Sequence, residues 1–162
     1  MKDYDEILIA LRRIMRAADL HSKELFRAAG LTVPQLLVMQ AIEKEGRPAT
    51  STLARYIVVS QATVTRIIDR LQESGLVTRE KASKDKRVIN ISLTESGRER
   101  LAAAPEPMQT KFIRRYRRLE GWEQHMIKAA LLRVAQMMDA EELDVAAVLQ
   151  SGDILEQQPA EG

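Results

Sequence analysis

The sequence has 162 residues, 45% hydrophobic and 30% charged, a composition too apolar for a disordered chain and too charged for a membrane protein. No apolar run approaches the roughly 20 residues that span a bilayer. The acidic N-terminus is unlike a signal peptide. The lack of cysteine excludes thiol switches and disulfide scaffolds. The net charge is +2, but residues 1–138 carry all 25 basic side chains and 16 acids, a net charge of +9, and residues 139–162 carry seven acids and no base. The first three features predict a cytoplasmic protein, and a basic body with a short acidic tail indicates one that meets polyanions.

The first thirty residues are predicted to form one long helix. Its apolar positions recur at alternating steps of four and three and form a continuous stripe along one face: Ile7, Leu11, Ile14, Ala18, His21 and Leu25. A stripe of this length, on a helix with few neighbours in sequence, predicts packing against a partner helix. Gly30 follows the stripe, and glycine suits the left-handed conformation that ends many helices.

Three shorter helices are predicted next. The first runs from an N-cap at Thr32 to about residue 45, and the second is capped by Thr50 and contains Leu53, Ala54 and Ile57. The third runs from an N-cap at Ser60 to about residue 74 and is ended by Gly75. Two short helices joined by a tight turn indicate a helix-turn-helix.

The chain is predicted to change from helix to strand after this glycine. Residues 77–81 and 87–93 have the period of two that is typical of strands. The polar segment 82–86 between them is predicted to be the tip of an antiparallel hairpin.

More helix is predicted after the hairpin. Either Thr94 or Ser96 caps it, and Ser96 with Glu99 would form a capping box. Pro105 and Pro107 are expected to kink this helix early, because proline removes a backbone donor. A glycine then separates it from a last helix.

The helix after Ser60 has the side chains expected of a DNA-reading helix. Val64, Ile67, Ile68 and Leu71 face inward, which leaves a polar opposite face. Short polar side chains followed by arginine suit entry into a major groove, and free N–H groups near the N-cap suit a phosphate. We therefore expect these residues to contact DNA: Ser60, Gln61, Ala62, Thr63, Thr65, Arg66 and Arg70. An ordinary solvated helix face, with Asp69 also exposed on it, is the alternative.

The predicted hairpin is basic, since residues 79–87 hold five Lys or Arg against two acids. Asp85 lies two residues before Arg87, so its carboxylate can orient the guanidinium for insertion into a minor groove. We expect Lys84, Lys86 and Arg87 to contact DNA. The alternative is an edge hairpin protected from aggregation by lysines.

Six segments occur in an order that resembles the MarR family of bacterial transcription regulators. They are Gly30-Leu31-Thr32 with Gln35, Leu53-Ala54, Ser60-x-x-Thr63-Val64-Thr65-Arg66-Ile67-Ile68-Asp69-Arg70-Leu71, Gly75-Leu76-Val77, Asp85-x-Arg87 and Leu93-Thr94-x-x-Gly97, and the resemblance covers about residues 5–140. Segments 11–22 and 61–65 are also similar to regulators of ectoine and other compatible-solute genes. Val58 stands where the family often has glycine, which predicts a different geometry for the turn between the two short helices.

The resemblance implies a mainly α fold with a small β wing, a winged helix-turn-helix whose flanking helices form a dimerisation region. Residues 1–30 and 96–140 would supply the dimerisation helices, 31–95 the DNA-binding domain and 141–162 an acidic C-terminal tail. The expected partners are double-stranded DNA and a second copy of the chain, without a membrane. The expected function is a repressor on a pseudo-palindromic operator, with osmotic-stress genes as the narrower expectation. The alternative is a winged-helix module that binds protein, which has no need of a basic wing.

Catalytic and metal sites are not expected. The sequence has no Gly-rich phosphate loop, nucleophile elbow or paired-carboxylate spacing, so neither an enzyme nor a cofactor is predicted. The two histidines, His21 and His125, lie far apart without cysteine, so no metal site is predicted either. His21 is either a packed histidine or part of an effector pocket, which the resemblance places between the dimer helices and the winged domain.

Two kinds of signal could control such a regulator, and the sequence does not distinguish between them. One is a small molecule. The other is ionic strength itself, because phosphate contacts weaken with salt and residues 111–118 hold five basic side chains that could bind anions or pair with the acidic tail. A solvated helix surface is the simplest explanation of that basic segment.

Overall fold

A computed structural model of the protein describes residues 2–57, 59–81 and 89–140. The helices are α1 (Asp3–Ala29), α2 (Val33–Glu45), α3 (Thr50–Ile57), α4 (Gln61–Glu73), α5 (Glu95–Ala103), α6 (Met108–Tyr116) and α7 (Gly121–Met137), and the strands are β1 (Val77–Lys81) and β2 (Ile89–Leu93). The predicted fold class, mainly helical with a small two-stranded wing, is confirmed. The described residues form two compact units, of which the first ends at Pro105 and the second begins at Glu106.

Helix α1 joins the core of the first unit only at its C-terminal end. Leu25 and Ala29 are buried, whereas Ile7 and Ile14 of the predicted stripe are 50% and 56% exposed. The helix ends as predicted at Gly30, whose φ of 61° is left-handed and whose N–H donates to the carbonyl of Phe26. The N-terminal half of α1 therefore leaves apolar surface uncovered in a single chain.

The core of the first unit lies between helices α2, α3, α4 and the sheet. Helix α2 is buried over most of its surface, and its N-terminus is fixed where the N–H of Thr32 donates to Oε1 of the buried Gln35 over 2.9 Å. The largest side chains with less than 2% exposure are Leu25, Leu31, Leu36, Met39, Ile42, Leu53, Ile68, Leu71, Leu76 and Ile91. Burial on this scale is the main source of the unit's stability.

The sheet is an antiparallel pair in the register Val77↔Leu93, Arg79↔Ile91 and Lys81↔Ile89. Val77, Ile91 and Leu93 are buried, while Ile89 at the outer end is 43% exposed. The N–H of Ile91 also donates to the carbonyl of Pro48 over 3.1 Å. The sheet is thus attached to the segment between α2 and α3.

The start of α5 resolves the choice between two caps. Thr94 has an extended backbone, and its Oγ1 accepts from the N–H of Gly97 over 3.0 Å. Ser96 lies inside the first turn of α5, so the predicted capping box with Glu99 is wrong. The same Thr94 hydroxyl donates to the carbonyl of Gly75 over 2.7 Å.

The two prolines do more than the predicted kink, because they separate two helices. Helix α5 ends at Ala103, Ala104 has an extended ψ of 138°, and α6 begins only at Met108. Pro105 and Pro107 lack the backbone N–H that helical hydrogen bonding would require. The expectation of one continuous, kinked helix is therefore wrong.

The second unit, as far as it is described, is a pair of helices with no buried residue in either. The Tyr116 hydroxyl donates to the carbonyl of Gln124 over 3.0 Å, and Nε2 of Gln124 donates to the carbonyl of Leu119 over 3.0 Å. These bonds fix the turn between α6 and α7.

Among the described residues, no single helix has both the length and the apolar composition needed to cross a membrane. Helices α1 and α2 meet those criteria only when taken together, and they are bent by 64° where they join.

Candidate nucleic-acid interface

Helix α4 has a buried face and an exposed face. The exposed residues Gln61, Ala62, Thr65 and Arg66 are called the reading face. Val64, Ile68 and Leu71 on the opposite side are fully buried. The spacing of these three residues matches the helical repeat, so core packing fixes the rotation of α4 about its axis. The predicted inward and outward faces are therefore in place, with Ile67 at the boundary.

The N-terminus of α4 is held by a side-chain cap. Ser60 Oγ accepts from the N–H of Thr63 over 3.1 Å and lies 2.8 Å from the Thr63 hydroxyl. Thr63 is only 4% exposed. The expectation that Thr63 touches a base does not agree with this burial. Its hydroxyl instead fixes the Ser60 side chain at the exposed end of the helix.

The reading face combines a bonded hydroxyl with an exposed guanidinium. The Thr65 hydroxyl donates to the carbonyl of Gln61 over 2.8 Å, so its oxygen remains able to accept from a base amino group. Arg66 is exposed and forms no ion pair with an acid in the part of the chain that the structure describes. Arg70, also exposed, has an interaction partner already. Donors and acceptors are thus presented together on one side of α4.

An ion pair that the sequence analysis missed joins α4 to the sheet. Nη2 of Arg79 lies 2.6 Å from Oδ1 of Asp69, and Nη1 of Arg79 donates to Oε1 of Gln72 over 2.7 Å. We call this group of three residues the Arg79 clamp. The sequence alone places Arg79 in the basic wing and Asp69 on the exposed face of α4, without linking the two. The signal that could have found the clamp is the period of two, which puts Arg79 on the same sheet face as the buried Val77.

Comparisons with known proteins agree with this geometry. The sequence profile of the MarR family matches residues 31–89, which span α2 to the start of β2. The repressor MdtR of Bacillus subtilis is 31% identical over 101 residues, which are 60% of this chain and 65% of MdtR. A MepR-like protein crystallised with pseudoligands superimposes with a TM-score of 0.59 at 26% identity, over 85% of this chain and 97% of that one. The YusO protein of B. subtilis superimposes with a TM-score of 0.54 at 26% identity, over 82% of this chain and 94% of YusO.

The resemblance to the MarR family is thus found over residues 31–89. The prediction made from the motifs of α4 and the sheet is thereby confirmed. The family and the named relatives are transcriptional regulators rather than enzymes, as the lack of catalytic motifs predicts. The chain spans less than two thirds of the length of the curated relatives it matches, for example 65% of MdtR.

The wing is described only at its base. Lys84, Lys86, Arg87 and the orienting Asp85 lie outside the described residues, as do Val58 and the acidic tail 141–162. At the base of the wing, the carboxylate of Glu80 lies 3.5 Å from the guanidinium of Arg47.

The first helix carries the candidate effector residue and a groove that does not include it. His21 is partly buried and has an interaction partner. A shallow, open groove of about 390 Å³ lies on the N-terminal side of His21 along α1 and is lined by Ile9, Arg12, Arg13, Arg16, Ala17 and Leu20. Within the described residues, no three His, Asp or Glu side chains come together where they could hold a metal ion.

Proposed function

We propose that this chain is a sequence-specific DNA-binding transcriptional repressor that acts as a homodimer on a pseudo-palindromic operator. The observation that carries the proposal is the reading face of α4, which is polar and exposed while the opposite face is locked into the core. Its relative MdtR is named a transcriptional repressor. The rival, a module that binds protein, does not explain the net charge of +9 on residues 1–138.

Each group of predicted DNA-binding residues has a distinct role in this proposal. Gln61, Ala62, Thr65 and Arg66 read base edges in the major groove, with Arg66 suited to guanine. Ser60 and the first N–H groups of α4 bind a phosphate. Arg70 lies further along the exposed side and contacts the backbone.

The wing supplies the second DNA contact. Asp85 orients Arg87 for the minor groove, whose narrow regions attract arginine, and Lys84 and Lys86 contact the flanking phosphates. This part of the proposal rests on the sequence, because these residues lie beyond the described part of the chain.

Selection of bound duplexes from a random library, followed by salt titration, tests the proposal. We expect an enriched palindrome with half-sites about 10 bp apart. The logarithm of the affinity should fall linearly with the logarithm of salt concentration, by about 0.9 per neutralised phosphate. Arg87→Ala should lower that slope by about 1 per wing. A protein that shows no salt-sensitive affinity for any duplex contradicts the proposal and favours the protein-binding module.

The signal belongs to the proposal as well. A relative was crystallised with pseudoligands, which supports a small-molecule effector, with His21 as a candidate lining residue. Ionic strength is the second candidate: six to ten phosphate contacts lose roughly 10³–10⁵ in affinity between 50 and 200 mM salt. This second candidate would suit the control of compatible-solute genes under osmotic stress.

The two signals are separated by measuring the free protein. If the chain senses salt, its thermal stability without DNA should change between 50 and 200 mM salt, and a chain ending at Asp139 or carrying Arg115→Ala should change that response. Arg115 is the better target because Arg114 is already paired with Glu106. A free protein indifferent to salt, released from DNA by a metabolite, supports the small-molecule effector.

A further inference from the structure

We propose that Arg79 is a positioning residue for DNA recognition, which fixes the angle between the reading helix α4 and the wing. The inference rests on the proposed function, and it concerns a residue that contacts neither base nor phosphate. The Arg79 guanidinium bridges two acceptors one turn apart on α4, at 2.6 Å from Asp69 and 2.7 Å from Gln72. A planar fork bound at two points resists rotation in a way that a single ion pair does not.

The location of the clamp explains why it controls orientation. Val77 at the base of β1 is buried and fixes one end of the strand. Arg79 is the next residue on the same face and is paired with the buried Ile91. It is therefore the last point at which the described strand is tied to α4 before the wing leaves the core. On the other face, Glu80 is held by Arg47 at 3.5 Å.

The clamp also keeps the Asp69 carboxylate from competing with DNA for the Arg66 side chain. Asp69 lies three residues after Arg66, a spacing at which an acid and a base on one helix can pair. An Asp69 side chain released by Arg79 would attract Arg66 away from a base and repel a nearby phosphate. With a side chain that is 48% exposed, Asp69 is close enough to solvent for this to matter.

A four-protein comparison tests the inference: wild type, Arg79→Gln, Asp69→Asn and the double variant. Each is titrated with the duplex selected above and with a scrambled duplex of equal length. Arg79→Gln should weaken the selected duplex about tenfold and leave the salt slope unchanged. The double variant has the wild-type net charge. It should bind the scrambled duplex like the wild type. On the selected duplex it should regain only the part of the affinity that the released Asp69 carboxylate removes, and the part lost with the bridge between α4 and β1 should stay lost.

Two further variants control for folding and charge. Arg79→Lys keeps the charge but cannot bridge both acceptors, so an intermediate loss is expected. Glu73→Gln removes an exposed acid one turn beyond Asp69 and should leave discrimination unchanged. Circular dichroism confirms that each variant is folded, and Arg79→Lys replaces Arg79→Gln if the latter unfolds.

Three outcomes overturn the inference. A salt slope that falls by about 1 in Arg79→Gln would show a direct phosphate contact instead. Full recovery of discrimination in the double variant would show that the charge of Asp69 alone matters and that the bridge to α4 does not. Unchanged discrimination in every Arg79 variant would show that the clamp is only structural. A wild-type protein without any preference contradicts the proposed function itself, which is a separate result.

Discussion

At the scale of single residues, α4 shows how two threonines two positions apart come to differ. Thr63 is 4% exposed and bonded to Ser60, whereas Thr65 is exposed and bonded back to Gln61. The difference follows from the 100° rotation per residue of an α-helix, which carries one side chain into the core and the other out of it. Residue type alone does not distinguish them. Position on the helix does.

Replacing Arg66 by alanine tests base reading directly. We expect Arg66→Ala to relax the preference at one base step by about 1–3 kcal/mol, because a bidentate arginine–guanine contact is lost. Binding to scrambled DNA should weaken much less. The measurement is competition binding against duplexes changed at each position in turn. An equal loss on all sequences would assign Arg66 to the backbone instead.

Replacing Thr63 by alanine should act on stability. The variant loses a buried hydroxyl that is bonded to Ser60, so the free energy of unfolding should fall by about 1–2 kcal/mol. The base preference should stay the same. Thr65→Ala is the matched control, exposed on the same helix, and should change stability by no more than about 0.5 kcal/mol. Urea titration followed by circular dichroism measures both, and a shifted base preference in Thr63→Ala would restore the earlier expectation.

At the scale of elements, the first turn of α5 is packed directly against the chain segment after α4. A Cβ on Gly97 would overlap the carbonyl oxygen of Leu76. Thr94 adds two bonds across the same contact, from its N–H to the carbonyl of Leu76 at 3.0 Å and from its hydroxyl to the carbonyl of Gly75 at 2.7 Å. Three elements, α4, β1 and α5, are therefore held at one point.

Gly97→Ala should strain this contact. Because the opposing atom belongs to the backbone, it cannot rotate away, and we expect the free energy of unfolding to fall by roughly 1–3 kcal/mol. Glu99→Ala, an exposed change on the same helix, should stay within about 0.5 kcal/mol. Thermal and urea unfolding of the two variants provide the comparison. A Gly97→Ala protein as stable as the wild type would mean that α5 can move away from Leu76 at little cost.

An ion pair at the start of the second unit predicts a pH effect. The Arg114 guanidinium, which donates to the Glu106 carboxylate, lowers the pKa of Glu106 below its ordinary 4.5. A lowered pKa in the folded state stabilises the protein above the unfolded pKa, and this contribution is lost as the pH falls through the folded value. Glu106→Gln should thus lower the melting temperature at neutral pH. The difference in melting temperature between the wild type and this variant should vanish well below pH 4.5. When Arg114→Gln is compared with the double variant Arg114→Gln, Glu106→Gln, the difference in melting temperature should show no such pH dependence.

The sequence predicted those features that depend on local patterns. The inward face of α4, the end of α1 at Gly30 and the strand 77–81 follow from periodicity and from the left-handed preference of glycine. The Arg79 clamp was missed because it joins residues ten positions apart, and only the packing of β1 on α4 brings them together. Ser96 was a reasonable cap by composition. Thr94 took the role because its backbone is extended where the strand ends.

At the scale of the whole molecule, large apolar side chains remain exposed on the described helices of both units. On α7, Trp122 is 67% exposed, Leu132 58% and Met137 65%. On α1, Ile7 is 50% and Ile14 56% exposed. Single exposed apolar residues are common, but a series of them along one helix is typical of a surface that another chain covers, which is the reason for the proposed homodimer.

We expect the protein to sediment as a dimer at micromolar concentration. Leu132→Glu should increase the monomer fraction, since burial of one leucine contributes about 1.5–3 kcal/mol and a charge at that position opposes association. Arg133→Glu, at the next exposed position of α7, is the matched control and should leave the dimer intact. Analytical ultracentrifugation across a concentration series measures both. A wild-type protein that stays monomeric at micromolar concentration contradicts the homodimer.

The separation of α4 into two faces bears on how such a regulator could acquire new targets. Gln61, Ala62, Thr65 and Arg66 project from a helix whose buried anchors Val64, Ile68 and Leu71 lie on its other side. Under the proposed function, random substitution at these four positions would alter which genes are controlled while leaving the buried side of α4 intact. Gene duplication followed by drift in this short segment is a direct route to a paralogue with a new operator. The same four codons are the natural choice for a library meant to retarget the protein.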